Sequence, residues 1–342
     1  MLGFNYIPHN RPTLGREEKK AAIQVLQSSW LAQGKEVEHF ENDFCDFLGL
    51  PQGSAIAVSS GTAALYLALI ALDAQDKNIA SPVYSCTALR NATALAGGNL
   101  LLTDSHIHSP NMNIHAIDST AHIAIIPHMY GLPQDFSTLN RKISIIEDCA
   151  QSLGATVNQV PVGLQGDIGI YSFYATKLIT SGGQGGMIVS KNPTIIEKLK
   201  DYRLYDRRFD DLLRFNFQMT DLQAAIGRAQ LKQFPKFQNR RSDIFQQYKE
   251  ANFPLLDATS DMSPVRFRAI LQTTKQFEIL TALSQNNISA VVPLQEIELL
   301  GPKEHYPNAY SWTQNTVSLP IYPSLKDKEV QRIIRIVKSI LS

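Results

Sequence analysis

The sequence predicts an α/β protein whose larger part is a mostly parallel seven-stranded sheet between helices. Apolar runs alternate with helical patterns through most of the chain, and several runs are apolar at nearly every position. Strands of this kind are buried on both faces by helices. The alternation stops near Phe234-Pro235. We therefore predict a large domain over residues 1–234 and a small C-terminal α+β domain over residues 235–342.

The predicted elements follow from periodicity and from the residues that begin and end helices. Two helices come first, over 14–29 and then up to Gly49. Asn192-Pro193 has the cap and first-turn residues of a helix start. Thr220 and Gln223 have capping-box spacing before an apolar helix. The seven strands of the sheet are predicted at 55–58, 79–80, 100–102, 123–126, 143–146, 168–173 and 187–189. The other predicted helices are 62–72, 87–96, 224–231 and 327–341, and strands of the small domain are predicted near 264–271 and 315–319.

Composition excludes several classes of protein. The 342 residues include 32 Lys plus Arg and 31 Asp plus Glu, for a net charge of +1, which favours neither a nucleic-acid partner nor a polybasic membrane anchor. No apolar run approaches the roughly 20 residues needed to span a bilayer. Cys45, Cys86 and Cys149 are odd in number and widely spaced, so we expect a reducing, cytoplasmic location. The N-terminus also lacks the charged and apolar regions of a signal peptide. We predict no metal site, because His106 and His108 have no third ligand in view.

Lys177 is the residue that most directly indicates chemistry. It follows the apolar run 168–173 and precedes a glycine-rich turn and strand, so rigid backbone on both sides can hold it. A lysine amine forms Schiff bases with carbonyl compounds, and burial lowers its pKa. Asp148 and a Ser-Gly-Thr helix start lie upstream, in the order that a pyridoxal phosphate (PLP) enzyme needs.

Asp148 and the Ser-Gly-Thr segment each have two interpretations. Asp148 follows a strand, where ligands of α/β sheets bind, and a carboxylate there can pair with a protonated pyridine nitrogen. Taken alone, a capping or loop aspartate is the more common explanation. Gly61 and Thr62 begin a helix whose free N–H groups can bind a phosphate, or they belong to an ordinary helix start. The hydroxyl of Ser172 can bind the same phosphate, or Ser172 simply ends a strand.

Six segments in order resemble the DegT/DnrJ/EryC1/StrS family of PLP-dependent sugar aminotransferases, and the resemblance covers nearly the whole chain. These segments are SSWLAQG (28–34), VSSGTAAL (58–65), PHMYG (127–131), EDCAQSLGA (147–155), SFYATK (172–177) and NFQMTDLQAA (216–225). Any one could arise by chance, whereas all six in order are specific. The resemblance implies a fold-type-I PLP transferase.

The resemblance also implies roles for individual residues. Lys177 would hold PLP and move protons, Asp148 would pair with the pyridine nitrogen, and Gln151 would lie near the 3-oxygen of the cofactor. The phosphate would be bound by Gly61, Thr62 and Ser172. Asn216 would reach the phosphate in the neighbouring subunit, so the protein would be a homodimer with shared active sites.

The sequence departs from the family pattern at several positions. Cys86 stands where the family commonly stacks an aromatic ring on the cofactor, so PLP would be held less tightly unless Tyr84 helps. The turn after Lys177 has an extra glycine and Gln184 where glutamate is usual. Gln218 replaces a frequent arginine, and the usual histidine-containing substrate loop near the C-terminus is hard to place.

The expected activity is transfer of an amino group from L-glutamate to the keto sugar of a nucleotide-diphosphate sugar. One alternative is a PLP- or pyridoxamine phosphate (PMP)-dependent sugar dehydratase of the same family, but those members carry histidine where this chain has Lys177. Another is a non-catalytic PLP-binding regulatory protein, which the intact set Lys177, Asp148 and Ser172 disfavours. The arginines between positions 203 and 214 form either a solvated surface loop or contacts to a substrate diphosphate.

Overall fold

The computed structural model describes residues 6–139, 142–258 and 261–341. The strands, in chain order, are β1 (Ala55–Val58), β2 (Asn78–Pro82), β3 (Asn99–Thr103), β4 (Ser105–His106), β5 (Ser109–Met112), β6 (Ile123–Pro127), β7 (Ser144–Asp148), β8 (Thr156–Val157), β9 (Val160–Pro161), β10 (Ile168–Ser172), β11 (Gly186–Val189), β12 (Met262–Ser263), β13 (Ala269–Gln272) and β14 (Thr316–Leu319).

The α-helices are mostly placed as the sequence predicts. They are α1 (Arg16–Ser28), α2 (Lys35–Leu48), α3 (Gly61–Ala71), α4 (Ala88–Leu95), α5 (Pro193–Arg203), α6 (Asp221–Glu250), α7 (Gln276–Gln285), α8 (Pro307–Gln314) and α9 (Asp327–Leu341). The predicted caps are present, since the side chain of Asn192 accepts a hydrogen bond from the N–H of Thr194, and Thr220 and Gln223 form a reciprocal capping box.

The central sheet has seven strands in the order β1-β11-β10-β7-β6-β2-β3. Only β11 runs antiparallel to its neighbours, so the other six strands are parallel to one another. Successive residues of β1 point into different cores, with Ile56 and Val58 on one face and Ala55 and Ala57 on the other. This confirms the fold class that the apolar strands predict, with helices covering both faces of the sheet.

The predicted division at residue 234 falls inside a helix. Helix α6 runs without interruption from Asp221 to Glu250, with Pro235 inside it. A separate hydrophobic core begins in the second half of α6, at Ile244 and Phe245, and includes β13, β14, α7 and α9. Ile7 of the N-terminal segment also belongs to this core. The boundary itself therefore stays a prediction, and α6 connects the two cores.

Among the described residues, no helix combines the length and the apolar character needed to cross a lipid bilayer.

Candidate active site

The predicted site residues lie along one edge of the central sheet. Strand β7 ends at Asp148 and the parallel strand β10 ends at Ser172, so both residues lie at the carboxyl edge. Strand β1 ends at Val58, just before the Ser-Gly-Thr segment that begins α3. This edge is where ligands of α/β sheets bind.

The start of α3 and the end of β10 form a narrow cradle. A Cβ atom on Gly61 would lie 2.7 Å from the Cβ and 2.9 Å from the Oγ of Ser172, so only glycine fits there. Ser60 caps the helix by accepting a hydrogen bond from Ala63 at 3.1 Å. The N–H groups of Gly61 and Thr62 belong to the first turn, which has no intrahelical acceptors. With the hydroxyls of Thr62 and Ser172, they form a donor set suited to a phosphate.

Lys177 lies beside Asp148 in a part-buried position. Burial lowers the pKa of the Lys177 amine below its ordinary value, while Asp148 and Cys86 act in the opposite direction and Arg268 adds to the lowering. Burial raises the pKa of the Asp148 carboxyl, against the effects of the Ala150 N–H group, Lys177 and His128. The Ala150 N–H group donates to Asp148 Oδ1 at 2.9 Å. Lys177 forms no ion pair with any described residue, so its amine is available for chemistry.

Glu147, the residue directly before Asp148, holds the end of β7 in place through its buried carboxylate. Its fully buried carboxylate accepts hydrogen bonds from Gly163, Gln165 and Gly166 at 2.7–2.8 Å. His128 Nδ1 accepts from the N–H of Gln134, so the proton on Nε2 is donated to Glu147 Oε2 at 3.1 Å. These bonds fix the residue directly before Asp148.

His128, Glu147 and Cys149 bring potential metal-ligating atoms within 4.8 Å of one another. Both nitrogens of His128 and both oxygens of Glu147 are already engaged in hydrogen bonds within the protein. The cluster therefore has a structural explanation that needs no metal.

Gln151 is oriented by an unusual backbone conformation at Tyr130. Tyr130 adopts φ = 61°, in the left-handed region, and its N–H group donates to Gln151 Oε1 at 2.9 Å. This bond leaves the side-chain amide nitrogen of Gln151 as the donor for a ligand. The hydroxyls of Tyr130 and Tyr84 are joined by a hydrogen bond of 2.7 Å.

Cys86 and Tyr84 differ in what they can offer a ligand. The Cys86 side chain is exposed at the site, whereas Tyr84 is completely buried and belongs to the hydrophobic core. Since protein atoms already enclose the Tyr84 ring, it has no free face for a cofactor. Cys86 alone remains at the position where an aromatic ring is usual.

Asn216 lies outside this arrangement. It is exposed, and its Oδ1 accepts a hydrogen bond from the N–H of Gln218 at 3.0 Å. The neighbouring backbone is tied to the site, because Phe217 O accepts from the N–H of Ser59 at 2.8 Å.

The basic stretch before Asn216 is largely neutralised. Arg203 pairs with Glu41, and Arg208 pairs with Asp201. Arg214 pairs with Asp201 at 2.7 Å and with Asp210 at 2.5 Å. Among the four arginines, Arg207 is the one that has no acidic partner in the described part of the chain. Arg203, Arg208 and Arg214 are therefore engaged by acidic groups of this chain, and the side chains of Arg203 and Arg214 are only 12% and 2% exposed.

Two features of the site had no sequence signal. Asn10, in the N-terminal segment, donates to the carbonyl of Thr176 at 2.8 Å, next to Lys177. Arg268 lies just before β13, yet its charge acts on Lys177. Both residues reach the site only through tertiary folding, so no local pattern could reveal them.

The residues present fit PLP. They combine a lysine amine of lowered pKa, a buried carboxylate beside it, and a helix start whose cradle a Cβ on Gly61 would fill. The fold and the site define a PLP-dependent aminotransferase of fold type I.

The chain belongs to the DegT/DnrJ/EryC1/StrS aminotransferase family, whose model matches residues 12–338. It is 30% identical over 364 residues to GDP-perosamine synthase of Vibrio cholerae, covering 97% of this chain and 98% of that protein. It is also 30% identical over 386 residues to the spore coat polysaccharide biosynthesis protein SpsC of Bacillus subtilis, covering 98% of this chain and 97% of that protein. The resemblance drawn from the six segments is confirmed.

The fold is shared with Spr1654 of Streptococcus pneumoniae, solved in its PMP form. The two structures superpose with a TM-score of 0.91 at 23% identity, covering 98% of this chain and 97% of that one. The seven-stranded, mostly parallel sheet is therefore the shared framework on which the site is built.

Proposed function

We propose that this aminotransferase transfers the amino group of L-glutamate to the keto sugar of a nucleotide-diphosphate sugar. The observation that carries the proposal is the placement of Lys177, whose amine lies beside buried Asp148 at the edge of the sheet. The name of the Vibrio cholerae relative, GDP-perosamine synthase, supports a nucleotide sugar as the acceptor.

Each site residue has a defined task in this proposal. PLP, when bound, withdraws electrons from the carbon that carries the transferred amine. Lys177 would hold the cofactor and move a proton between that carbon and C4′ of PLP. Asp148 would keep the pyridine nitrogen protonated, and the side-chain amide of Gln151 would donate to the 3-oxygen. Cys86 would contact the face of the ring, with a smaller area than an aromatic side chain provides.

The phosphate of the cofactor would bind at the α3 start. Gly61 and Thr62 offer backbone N–H groups at the positive end of the helix dipole, and the hydroxyls of Thr62 and Ser172 complete the set. Asn216 of a second copy would supply the remaining contact.

A homodimer with shared active sites is supported by the surface around Asn216. Large apolar side chains are exposed on the loop that leads to it and near the start of the chain. They are Ile23, Leu26, Trp30, Leu31, Leu204, Phe209, Leu212, Leu213 and Phe215. Exposed apolar side chains on this scale are typical of surfaces that bind another protein.

We also propose a cytoplasmic location, since Cys45, Cys86 and Cys149 are all free thiols.

The absorption spectrum of the purified protein tests the proposed reaction. We expect a yellow protein that loses its visible absorbance when L-glutamate is added and regains it with 2-oxoglutarate. Lys177→Ala, which lacks the amine, should not show this cycle. If another amino acid but not glutamate removes the colour, the donor is wrong. If no amine does so, transamination itself is contradicted.

A further inference from the structure

Arg268 is a part-buried cation that forms no ion pair with any described residue. The charge of the Glu298 carboxylate acts on it, but the two groups are not in direct contact. Its Nη1 atom makes only long hydrogen bonds, 3.3 Å to Ser318 Oγ and 3.4 Å to His9 Nε2. His9 supplies no negative charge, and its pKa is lowered to about 3 by burial and by Arg268 and Arg241.

One edge of the Arg268 guanidinium is open. Nε is buried and has no hydrogen-bond partner, and Nη2 donates no hydrogen bond to any residue that the structure describes. Nε and Nη2 together form a fork that matches the two oxygens of a carboxylate. Burying Nε without a hydrogen-bond partner costs free energy, and a ligand carboxylate that accepted from Nε and Nη2 would offset that cost.

Two neighbouring arginines have structural roles, because groups of the same chain bind their guanidinium groups. Arg266, two residues earlier, pairs with Asp257 at 2.7 Å and stacks 3.8 Å above the ring of Phe245. The guanidinium of Arg241 is buried but donates to three backbone carbonyls, those of Arg266, Phe267 and Ile321. Nε of Arg241 also lacks a partner, so Arg268 differs from it by having only two hydrogen bonds, both 3.3 Å or longer, and no bond to a backbone carbonyl.

Arg268 lies at the active site. The ring of Phe267 contacts both cations, with Lys177 Nζ 5.4 Å and Arg268 Cζ 5.6 Å from its centroid. Arg268 Cζ is also 5.8 Å from the ring centroid of Tyr130, whose N–H group orients Gln151. Arg268 therefore borders the space between Lys177 and the proposed contact to the 3-oxygen.

We propose that Arg268 binds the α-carboxylate of the amine donor through its Nε–Nη2 edge. This inference rests on the proposed function and names the residue that selects the donor. An α-amino acid carries its carboxylate on the same carbon as the amine, so an amine that reacts beside Lys177 places the carboxylate close by. The ketone carbon of a sugar carries no acid group, so Arg268 acts in the donor half-reaction.

The test compares the donor half-reaction in PLP-loaded wild type, Arg268→Gln and Arg268→Lys. The apparent dissociation constant for L-glutamate, from the rate of loss of visible absorbance, should rise at least about tenfold in Arg268→Gln. Arg268→Lys, which keeps the positive charge, should bind L-glutamate more tightly than Arg268→Gln but less tightly than wild type. With 4-aminobutyrate, which has no α-carboxylate, wild type and Arg268→Gln should have similar constants. Arg266→Gln is the matched control and should leave the glutamate constant unchanged.

A second readout avoids turnover. Glutarate, which has no amine, should raise the thermal unfolding temperature of the loaded wild type and of Arg266→Gln but not that of Arg268→Gln. Equal protection of wild type and Arg268→Gln, or no protection of wild type, contradicts the proposal. An equal rise in the apparent dissociation constants for glutamate and 4-aminobutyrate in Arg268→Gln would also contradict the proposal.

The two proposals fail in distinguishable ways. If no amino acid removes the visible absorbance of wild type, the proposed function fails and the assignment of Arg268 falls with it. If wild type reacts with glutamate and Arg268→Gln has the same constant, only the assignment of Arg268 is wrong.

Discussion

At the scale of single residues, the site is governed by the charge balance around Lys177. Burial favours the neutral amine, and the positive charge of Arg268 acts in the same direction. Asp148 and Cys86 favour the ammonium form. The neutral amine is the nucleophile that captures a carbonyl compound, so these neighbours determine the pH range in which the empty protein takes up PLP.

The pH dependence of PLP capture tests this balance. The capture rate should increase with pH as Lys177 loses its proton, with an inflection below the ordinary lysine value of about 10.4. Asp148→Asn removes a charge that raises the pKa of Lys177, so its inflection should move to lower pH. Arg268→Gln removes a charge that lowers the pKa, so its inflection should move to higher pH. The rate would be followed by visible absorbance after mixing apo-protein with PLP.

Asp257→Asn provides the matched control, because Asp257 pairs with Arg266 and Lys249 and not with Lys177. Its inflection should stay at the wild-type value. Shifts of the same sign in Asp148→Asn and Arg268→Gln would contradict the charge balance described for Lys177.

At the scale of elements, helices α2 and α6 stabilise each other at their starts. Helix α2 has Gly34 at its N-cap, which has no side chain to accept a hydrogen bond. Asp221, the first residue of α6, supplies the acceptor instead. Its Oδ1 accepts hydrogen bonds from the N–H groups of Gly34 at 2.7 Å and Val37 at 3.1 Å. A residue nearly 190 positions away in the chain thus acts as the cap of α2.

Asp221→Ala should lower the free energy of unfolding by about 1–2 kcal/mol, because the first turn of α2 loses its acceptor. Asp221→Asn keeps an oxygen at the same place and should lose less. Urea unfolding followed by circular dichroism measures both values. An equal loss in the two variants would show that Asp221 does not act as a hydrogen-bonding cap.

The elements also show which parts of the fold local sequence patterns can predict. The strands of the central sheet and most helices were predictable because their apolar period is local, and Asn192 and Thr220 were predictable because a cap acts within three residues. The short strands β4, β5, β8, β9 and β12 and helices α7 and α8 were not predicted. Helix α6 was wrongly predicted to cover only 224–231, because Pro235 indicates a helix end. The buried side chains of Phe234 and Phe237 hold the helix together on both sides of the proline.

The site likewise contains residues that the sequence predicts and residues that it does not. That Gly61, Ser172, Lys177 and Asp148 belong to one site was predictable, since their segments follow predicted strands and occur in the order of the family segments. The roles of Glu147, Tyr130 and Arg268 were not. Their contacts join segments far apart in the chain and leave no periodic or motif signal.

At the scale of the whole molecule, the N-terminal segment ties the two cores together. Ile7 pairs with Ile288 beside the second core. A few residues later, the carbonyl of Thr13 accepts a hydrogen bond from Gln230 in the first half of α6. Between these contacts, Asn10 donates to the carbonyl of Thr176. The segment that contacts both cores therefore also contacts the residue directly before Lys177.

The proposed sharing of sites between subunits makes a prediction about mixed dimers. Lys177→Ala alone should be inactive. Asn216→Asp should lose about tenfold or more in activity, because its new charge would repel the phosphate of the partner's cofactor. In a dimer of one Lys177→Ala chain and one Asn216→Asp chain, both defects fall in one site. The other site combines Lys177 and Asn216 unchanged.

The mixed dimer, isolated through two different affinity tags, should therefore recover up to about half of the wild-type activity per dimer. If Asn216 served its own subunit, every site in the mixed dimer would carry one defect, and the activity would not rise above the residual activity of Asn216→Asp. A mixed dimer of wild type with Lys177→Ala controls for tag and purification effects, and it should also retain about half of the activity. Recovery in that control but not in the double-variant dimer would refute a shared site.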